Sequence, residues 1–272
     1  MWARWIRRLR LQWQLQREEK AVARKALPDL LWRRTLKRFA FLPREGTAEE
    51  LALRRMTSLF LDRKEFTGAH GLVVTDDMAV AIAAQACLPV LGLGLSAYDG
   101  FVGIVVHPGL ARVRREYEDE DGIVHEFEET LSGEAVQGGP VMLSWRDVRS
   151  AGAKASQAYN VVIHEFAHVL DMADGLPDGK PLLPPDITSA EWRHTLQTSY
   201  EAFVQAVDAD VPTTVDPYGA QSLDEFFAVA SEAFFVAPQG LQSEQPEVYA
   251  LLRRYFRQDP LSRLPSSPVS EF

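Results

Sequence analysis

The spacing of apolar and polar positions divides the chain into a helical start, a strand-rich middle and a helical end. Trp2, Trp5, Ile6, Leu9 and Trp13 recur at helical spacing with arginines on the other faces, which predicts an amphipathic helix over residues 1–25. A second helix opens at Thr47 to Glu50, where TAEE has the spacing of a capping box. It carries Leu51, Met56, Leu59 and Phe60 at expected core positions. Thr75 is placed to cap a third helix through DDMAVAIAAQA. From residue 99 the period shortens, and GFVGIVVHP, RVRREYE, GIVHEFEET and PVMLSW read as short strands. The acidic run EDEDG is expected to be a solvated turn between the middle two. After Ser150 the helical period returns at about 160–173, 189–207, 222–237 and 246–257. Helices, then strands, then helices fit one α+β domain. The expected layout is a basic helix over 1–25, a body over 26–260 and a loose tail over 261–272.

Composition and charge narrow the class. The chain is 46% hydrophobic and 25% charged, as a globular protein with a real core would be. Its net charge of -9 argues against direct nucleic-acid binding. That charge is uneven, because the first 25 residues carry a local +6 and leave the remainder at -15. A basic helix with a Trp edge suits an anionic membrane surface contacted through residues 1–17, or a partner's groove. Docking on its own domain or on a sister subunit would use the same face. No run approaches the roughly 18 apolar residues of a membrane span. The N-terminus also lacks the apolar core and small-residue cleavage site of a secretory signal. A reduced, cytoplasmic setting is therefore expected. The sole cysteine, Cys87, sits in the apolar run AIAAQACLPVLGL and is expected to be an inert buried thiol.

The chemistry concentrates in His164-Glu165-Phe166-Ala167-His168. On a helix, positions four apart share one face, so both imidazoles can reach one metal ion. Imidazole nitrogen suits zinc, and two histidines leave room for a third protein ligand and a water. Glu165 is angled towards that water and is the candidate general base. The surrounding YNVVIHEFAHVLDMADG offers Asn160 as N-cap, Val161, Val162, Ile163, Phe166 and Ala167 for burial, and Gly175 beyond the end. The plain alternative is a pair of histidines on a solvated face.

A third ligand must lie downstream. Asp171 is two turns past His164 and better placed as a partner of a ligand, or as a local cap, than as a ligand itself. Two glutamates remain open: Glu191 in SAEWRHTLQ, which also offers His194, and Glu225 in SLDEFFAVASEAFF. Glu225 and Glu232 fall seven apart on one stripe of a strongly apolar helix. Two carboxylates there are costly unless a cation or hydrogen bonds satisfy them. One acid could bind a metal while the other orients an imidazole, which favours Glu225. A capping role for Glu225 with Ser222 fits the same spacing.

HEFAHVLD, YGAQSLDEFFAVASEAFF and QDPLSRL together resemble the Mlc titration factor A family of zinc peptidases. The likeness continues through CLPVLGLGLSAYDGF and GGPVMLSWRDV, covering most of residues 40–265. That family's core is similar to the catalytic domain of anthrax lethal factor, a gluzincin-like zincin. The resemblance implies one Zn2+ per chain held by His164, His168 and Glu225, with Glu165 as base and Tyr218 as a catalytic tyrosine. From spacing alone Tyr218 reads as a turn residue in DPYGA. The resemblance further implies a cytoplasmic, aminopeptidase-like enzyme acting on peptides, able to bind a transcriptional repressor of the Mlc type.

The rival expectation is a regulator-binding protein that sequesters such a repressor, with zinc as a structural staple. By analogy with zincins, PVMLSW (140–145) is the expected edge strand for a substrate backbone. Gly92, Gly94 and Ala97 match a dinucleotide fingerprint in letters, but YDG follows instead of a helix. His107 and His125 are expected at the surface, and Ser96 and Cys87 have no base nearby to make a nucleophile.

Overall fold

The computed structural model describes residues 2–118, 124–151 and 158–264, and side chains there except at 2–4, 6–11, 14 and 111–131. The chain is helical over α1 (Trp2–Arg24), α2 (Asp29–Arg38) and α3 (Ala48–Arg63). The end of α1 docks on α3. Ala21 is buried, Arg24 grips Asp62 at 2.9 Å, and Arg55 reaches Glu18 and Glu19. Trp5 and Trp13 are instead 59% and 66% exposed. Trp2, Ile6 and Leu9 lie outside the described side chains.

Thr47 caps α3 through the Glu50 amide, while the Glu50 carboxylate turns back to the Gly46 amide at 3.0 Å. The same carboxylate accepts from the indole of Trp32 at 2.5 Å, tying α2 to α3. Leu59 and Phe60 are buried as expected, but Leu51 is exposed, and Leu53 takes the core position instead. Helix α4 (Asp76–Cys87), capped by Thr75, is buried nearly all round and forms the centre of the molecule. Cys87 is buried and free, and burial pushes its thiol far above the ordinary range.

The strands are β1 (Glu65–Gly68), β2 (Gly103–His107), β3 (Ala111–Glu118), β4 (Val124–Leu131), β5 (Gly133–Ala135) and β6 (Val141–Ser144). Four of them form a mixed sheet in the order β1-β2-β6-β5, with β1, β2 and β6 parallel and β5 antiparallel to β6. Among the described residues strands β3 and β4 pair only with each other, and the expected EDEDG turn (118–122) falls largely outside those residues.

This arrangement corrects the edge-strand expectation. β6, the strand of PVMLSW, is interior, hydrogen-bonded to β2 on one side and β5 on the other. One edge of the sheet is β1, and the edge next to α6 is the three-residue β5, which lay in the connection between two expected strands. Too short for a period to show, it is made a strand by pairing with β6.

The helical end comprises α5 (Trp145–Ser150), α6 (Val161–Asp171), α7 (Ser189–Asp208), α8 (Leu223–Val236), α9 (Pro238–Glu244) and α10 (Pro246–Phe256). Gly92 accounts for the fingerprint-like letters, because a Cβ there would meet the Phe256 carbonyl at 2.3 Å. Gly94 has φ +93 and leads into a 3-10 turn, Leu95–Tyr98, so the pair serves close packing against α10 and a sharp bend. Arg263, in the turn Pro260–Arg263, holds Glu49 at 3.1 Å. Residues 265–272 of the expected tail lie outside the described residues. Among the described residues no helix is long and apolar enough to cross a membrane.

Candidate metal centre

Helix α6 is fixed before it presents anything. The Asn160 side-chain oxygen accepts from the Val162 and Ile163 amides at 3.1 Å each, capping the helix. Its amide nitrogen donates to Gln85 on α4 at 2.9 Å, so the cap is anchored in the core. Gly175 closes the far end with φ +101. The inner face buries Val162, Ile163 and Phe166. The Phe166 ring lies 4.9 Å from Tyr98, 5.7 Å from Phe101 and 5.8 Å from Phe60, centroid to centroid. Truncating such a ring costs about 3–5 kcal/mol.

The other face carries His164 and His168, with their Nε2 atoms 3.2 Å apart. Helix α8 faces it. Ser222 accepts from the Glu225 amide, so the capping role holds for the backbone while the side chain is free to point away. Glu225 Oε2 sits 3.1 Å from His164 Nε2 and 3.4 Å from His168 Nε2. The three donors converge on one point. Corners of a zinc tetrahedron with bonds of ~2.0–2.1 Å lie about 3.3–3.4 Å apart, close to these separations. Glu225 Oε2 is buried and accepts no hydrogen bond despite its neighbours. A buried carboxylate oxygen without a donor is unfavourable, and a cation among the three atoms removes that cost. Two imidazoles and one carboxylate are also the donor set of an open, hydrolytic zinc site. The residues fit the ion.

Their protonation agrees. Burial acts to raise the Glu225 carboxyl, but the two imidazoles prevail and hold it down to about 2. Burial acts against charge on His164, yet the Glu225 and Glu232 carboxylates push its pKa well above the ordinary value. A metal ion would displace that proton. Glu232, 3% exposed, lies 2.8 Å from His164 Nδ1 through Oε1, and its Oε2 accepts from the Asn160 amide. Thus Gln85, Asn160 and Glu232 form a relay that fixes the His164 ring.

Glu165 is buried, and burial pushes its carboxyl up to about 7 against the pull of the two imidazoles. It leans across β5, where a Cβ added to Gly133 would stand 2.4 Å from Oε1. Tyr218 belongs to the 3-10 turn Pro217–Ala220, capped by Asp216 at 2.9 Å. Its ring is 41% exposed and 6.0 Å from the His164 ring. Gly219 seats this turn on α8, since a Cβ there would meet Val229 at 2.5 Å. A cavity of about 220 Å³ opens beside His164 and Glu165, and Tyr218, Tyr159, Ser132 and Asp216 line it. Burial pushes the Tyr159 phenol up to about 12, opposed by a hydrogen bond with Ser132.

The other candidates stand apart. Glu191 pairs with Arg254 on the surface and His194 is exposed. Asp171 caps the following loop by accepting from the Gly179 amide at 2.9 Å. His107, expected at the surface, instead buries both ring nitrogens without a hydrogen bond, 5.5 Å from the His70 ring. It is the last residue of β2, where a Pro following it had suggested an exposed strand end. His125 lies outside the described side chains. Sequence reasoning missed Gly133, Gln85, Tyr159, Ser132 and Asp216. Only Gly133 had a signal, as a lone glycine among strand-like residues, which marks a close approach.

Residues 12–257 match the family model described as glucose-regulated metallo-peptidase M90. An uncharacterized protein of Synechocystis is 35% identical over 246 residues, 89% of each chain. Mlc titration factor A of Pectobacterium atrosepticum is 36% identical over 222 residues, 80% of this chain and 82% of that one. Mlc titration factor A of Escherichia fergusonii is 34% identical over 228 residues, 83% and 85% of the two chains.

Proposed function

The chain belongs to the glucose-regulated metallo-peptidase M90 family, and on that premise we propose that it is a zinc-dependent, aminopeptidase-like peptidase of the zincin type. The observation that carries this reading is the convergence of His164, His168 and Glu225 on one point with Glu165 beside it. A zinc ion held by those three residues would lower the pKa of an attacking water and polarise the scissile carbonyl. Glu165 takes the proton from that water as the oxygen–carbon bond forms, then delivers it to the leaving amine as the carbon–nitrogen bond breaks. A carboxylate brought near neutrality by burial suits both transfers. Tyr218 donates a hydrogen bond to the oxyanion, and Glu232 keeps the His164 ring in its ligating orientation.

Substrate backbone pairs with the free edge of β5, which takes no other strand among the described residues. The cavity supports the aminopeptidase-like preference. At about 220 Å³ it lies below the ~300 Å³ floor of drug-sized sites, leaving room for one or two residues. Its wall carries Asp216 and Glu232, a suitable surroundings for a cationic amino terminus. A free, buried Cys87 fits a cytoplasmic setting.

The test is removal of the metal. Chelation should abolish hydrolysis of short apolar peptides, and stoichiometric zinc should restore it. Activity that survives complete chelation rejects the proposal. A second reading rests on the relatives' name, Mlc titration factor A: the same protein binds a transcriptional repressor of that type. The two readings can coexist, and Glu165 favours the enzyme over a structural zinc, which has no use for that base.

A further inference from the structure

A second cavity, of about 660 Å³, lies at the far end of α6. Val169, Met172 and Ala173 form its floor and Leu182 and Leu183 one wall. Val136 to Gly138, in the turn that follows edge strand β5, also line it. The small cavity touches β5 at Gly133 and the large one touches the turn that follows it from Val136 onward, so β5 runs between them. At ~3.3 Å per residue the interval from Gly133 to Val136 is about 10 Å, three residues of an extended peptide.

The charges at the two ends are opposite. The small cavity is lined by Glu165, Asp216 and Glu232. Among the described residues Arg257 is the one charged side chain lining the large cavity. It is exposed and has no ion pair among the described residues. Its backbone has φ +53, a conformation in which glycine is the usual helix terminator. Gly92 clears the space for it, since a Cβ there would stand 2.9 Å from Arg257 Cβ.

We infer that this cavity receives the C-terminal end of a short peptide whose amino end lies at the metal centre. Its apolar floor and wall take an apolar side chain, and Arg257 captures the terminal carboxylate. The substrate class is then an apolar peptide of about four or five residues with both termini free. This rests on the peptidase reading of the metal centre, which assigns the amino end.

The test compares one apolar pentapeptide as free acid and as C-terminal amide, at low salt. Hydrolysis is followed with the wild type, and binding by calorimetry with the zinc-loaded Glu165→Gln protein. The acid should be preferred about tenfold in KM and in affinity, as a charge-assisted pair at a partly open site gives. Arg257→Gln should bring that ratio to one, and Arg257→Lys should keep most of it. Hydrolysis without any acid preference overturns the inference and leaves the peptidase reading standing. Arg257-dependent binding without hydrolysis keeps the site and rejects the peptidase reading. An acid preference that survives Arg257→Gln places the carboxylate elsewhere and overturns the inference.

Discussion

Gly133→Ala isolates the base from the metal. Gly133 lacks a positive φ, so its backbone accepts alanine without strain. The nearest obstacle is Glu165, because the new methyl would stand 2.4 Å from Oε1, 2.6 Å from Cγ and 2.7 Å from Cδ. Ordinary contact begins near 3.4 Å, so the carboxylate must withdraw by about 0.7–1 Å. A displacement of that size at a reacting group costs about 10²-fold in rate. Overpacking of one methyl costs the fold about 1–3 kcal/mol. His164, His168 and Glu225 are not touched, so zinc content should stay at one per chain. Steady-state kinetics on a short peptide, with metal measured on the same sample, should show kcat reduced about 100-fold. The double variant Gly133→Ala with Glu165→Gln should be no slower than Glu165→Gln alone, since both changes act through one group. Wild-type kcat in Gly133→Ala, or loss of zinc in step with activity, would refute the reasoning.

Three further outcomes are expected. Glu225→Ala should lose zinc while Glu191→Ala retains it, by metal analysis after dialysis; the opposite result would move the site to α7. Tyr218→Phe should lower kcat about 10–100-fold with zinc retained, because the hydroxyl that meets the oxyanion is removed; an unaltered kcat returns Tyr218 to the role of a turn residue. Asp171 is raised to about 7 by burial, and its Oδ1 has no partner. The folded metal-free protein therefore holds a proton that the unfolded chain releases between pH ~4 and ~7. This group's contribution falls as pH rises through that window, and its full penalty stands above pH 7. Asparagine still accepts from the Gly179 amide but carries no charge. Asp171→Asn should thus stabilise the metal-free protein by about 2–4 kcal/mol at pH 8 and by almost nothing at pH 4, in urea unfolding. Equal stability of the two proteins at pH 8 would show that Asp171 is not held in this way.

The metal helix was legible because its cues are local. Asn160, the four-residue spacing of His164 and His168, the apolar inner face and Gly175 all lie within sixteen positions. The Glu225 and Glu232 pair was also legible, since two acids on a buried stripe require an explanation whatever they face. That explanation divided as the physics suggested, with Glu225 at the imidazole Nε2 atoms and Glu232 at His164 Nδ1. What stayed hidden depends on long-range approach. β5 exists through pairing with β6, and the role of Gly133 exists through Glu165 on another element. The Gln85 anchor lies 75 positions from Asn160. The edge strand was misplaced for the same reason, because PVMLSW has the stronger strand composition and the weaker claim to an edge. Leu51 and His107 were misjudged where burial depends on neighbours far along the chain.

The central claim is that three residues hold the metal and a fourth moves the proton, and Glu165→Gln separates these roles. Glutamine keeps the volume and hydrogen-bonding shape of the side chain but takes up no proton. With zinc and peptide hydrolysis measured on one preparation, the account predicts one zinc per chain, as in the wild type, and kcat lower by at least about 10³-fold. Hydrolysis at the wild-type rate with zinc in place would contradict it.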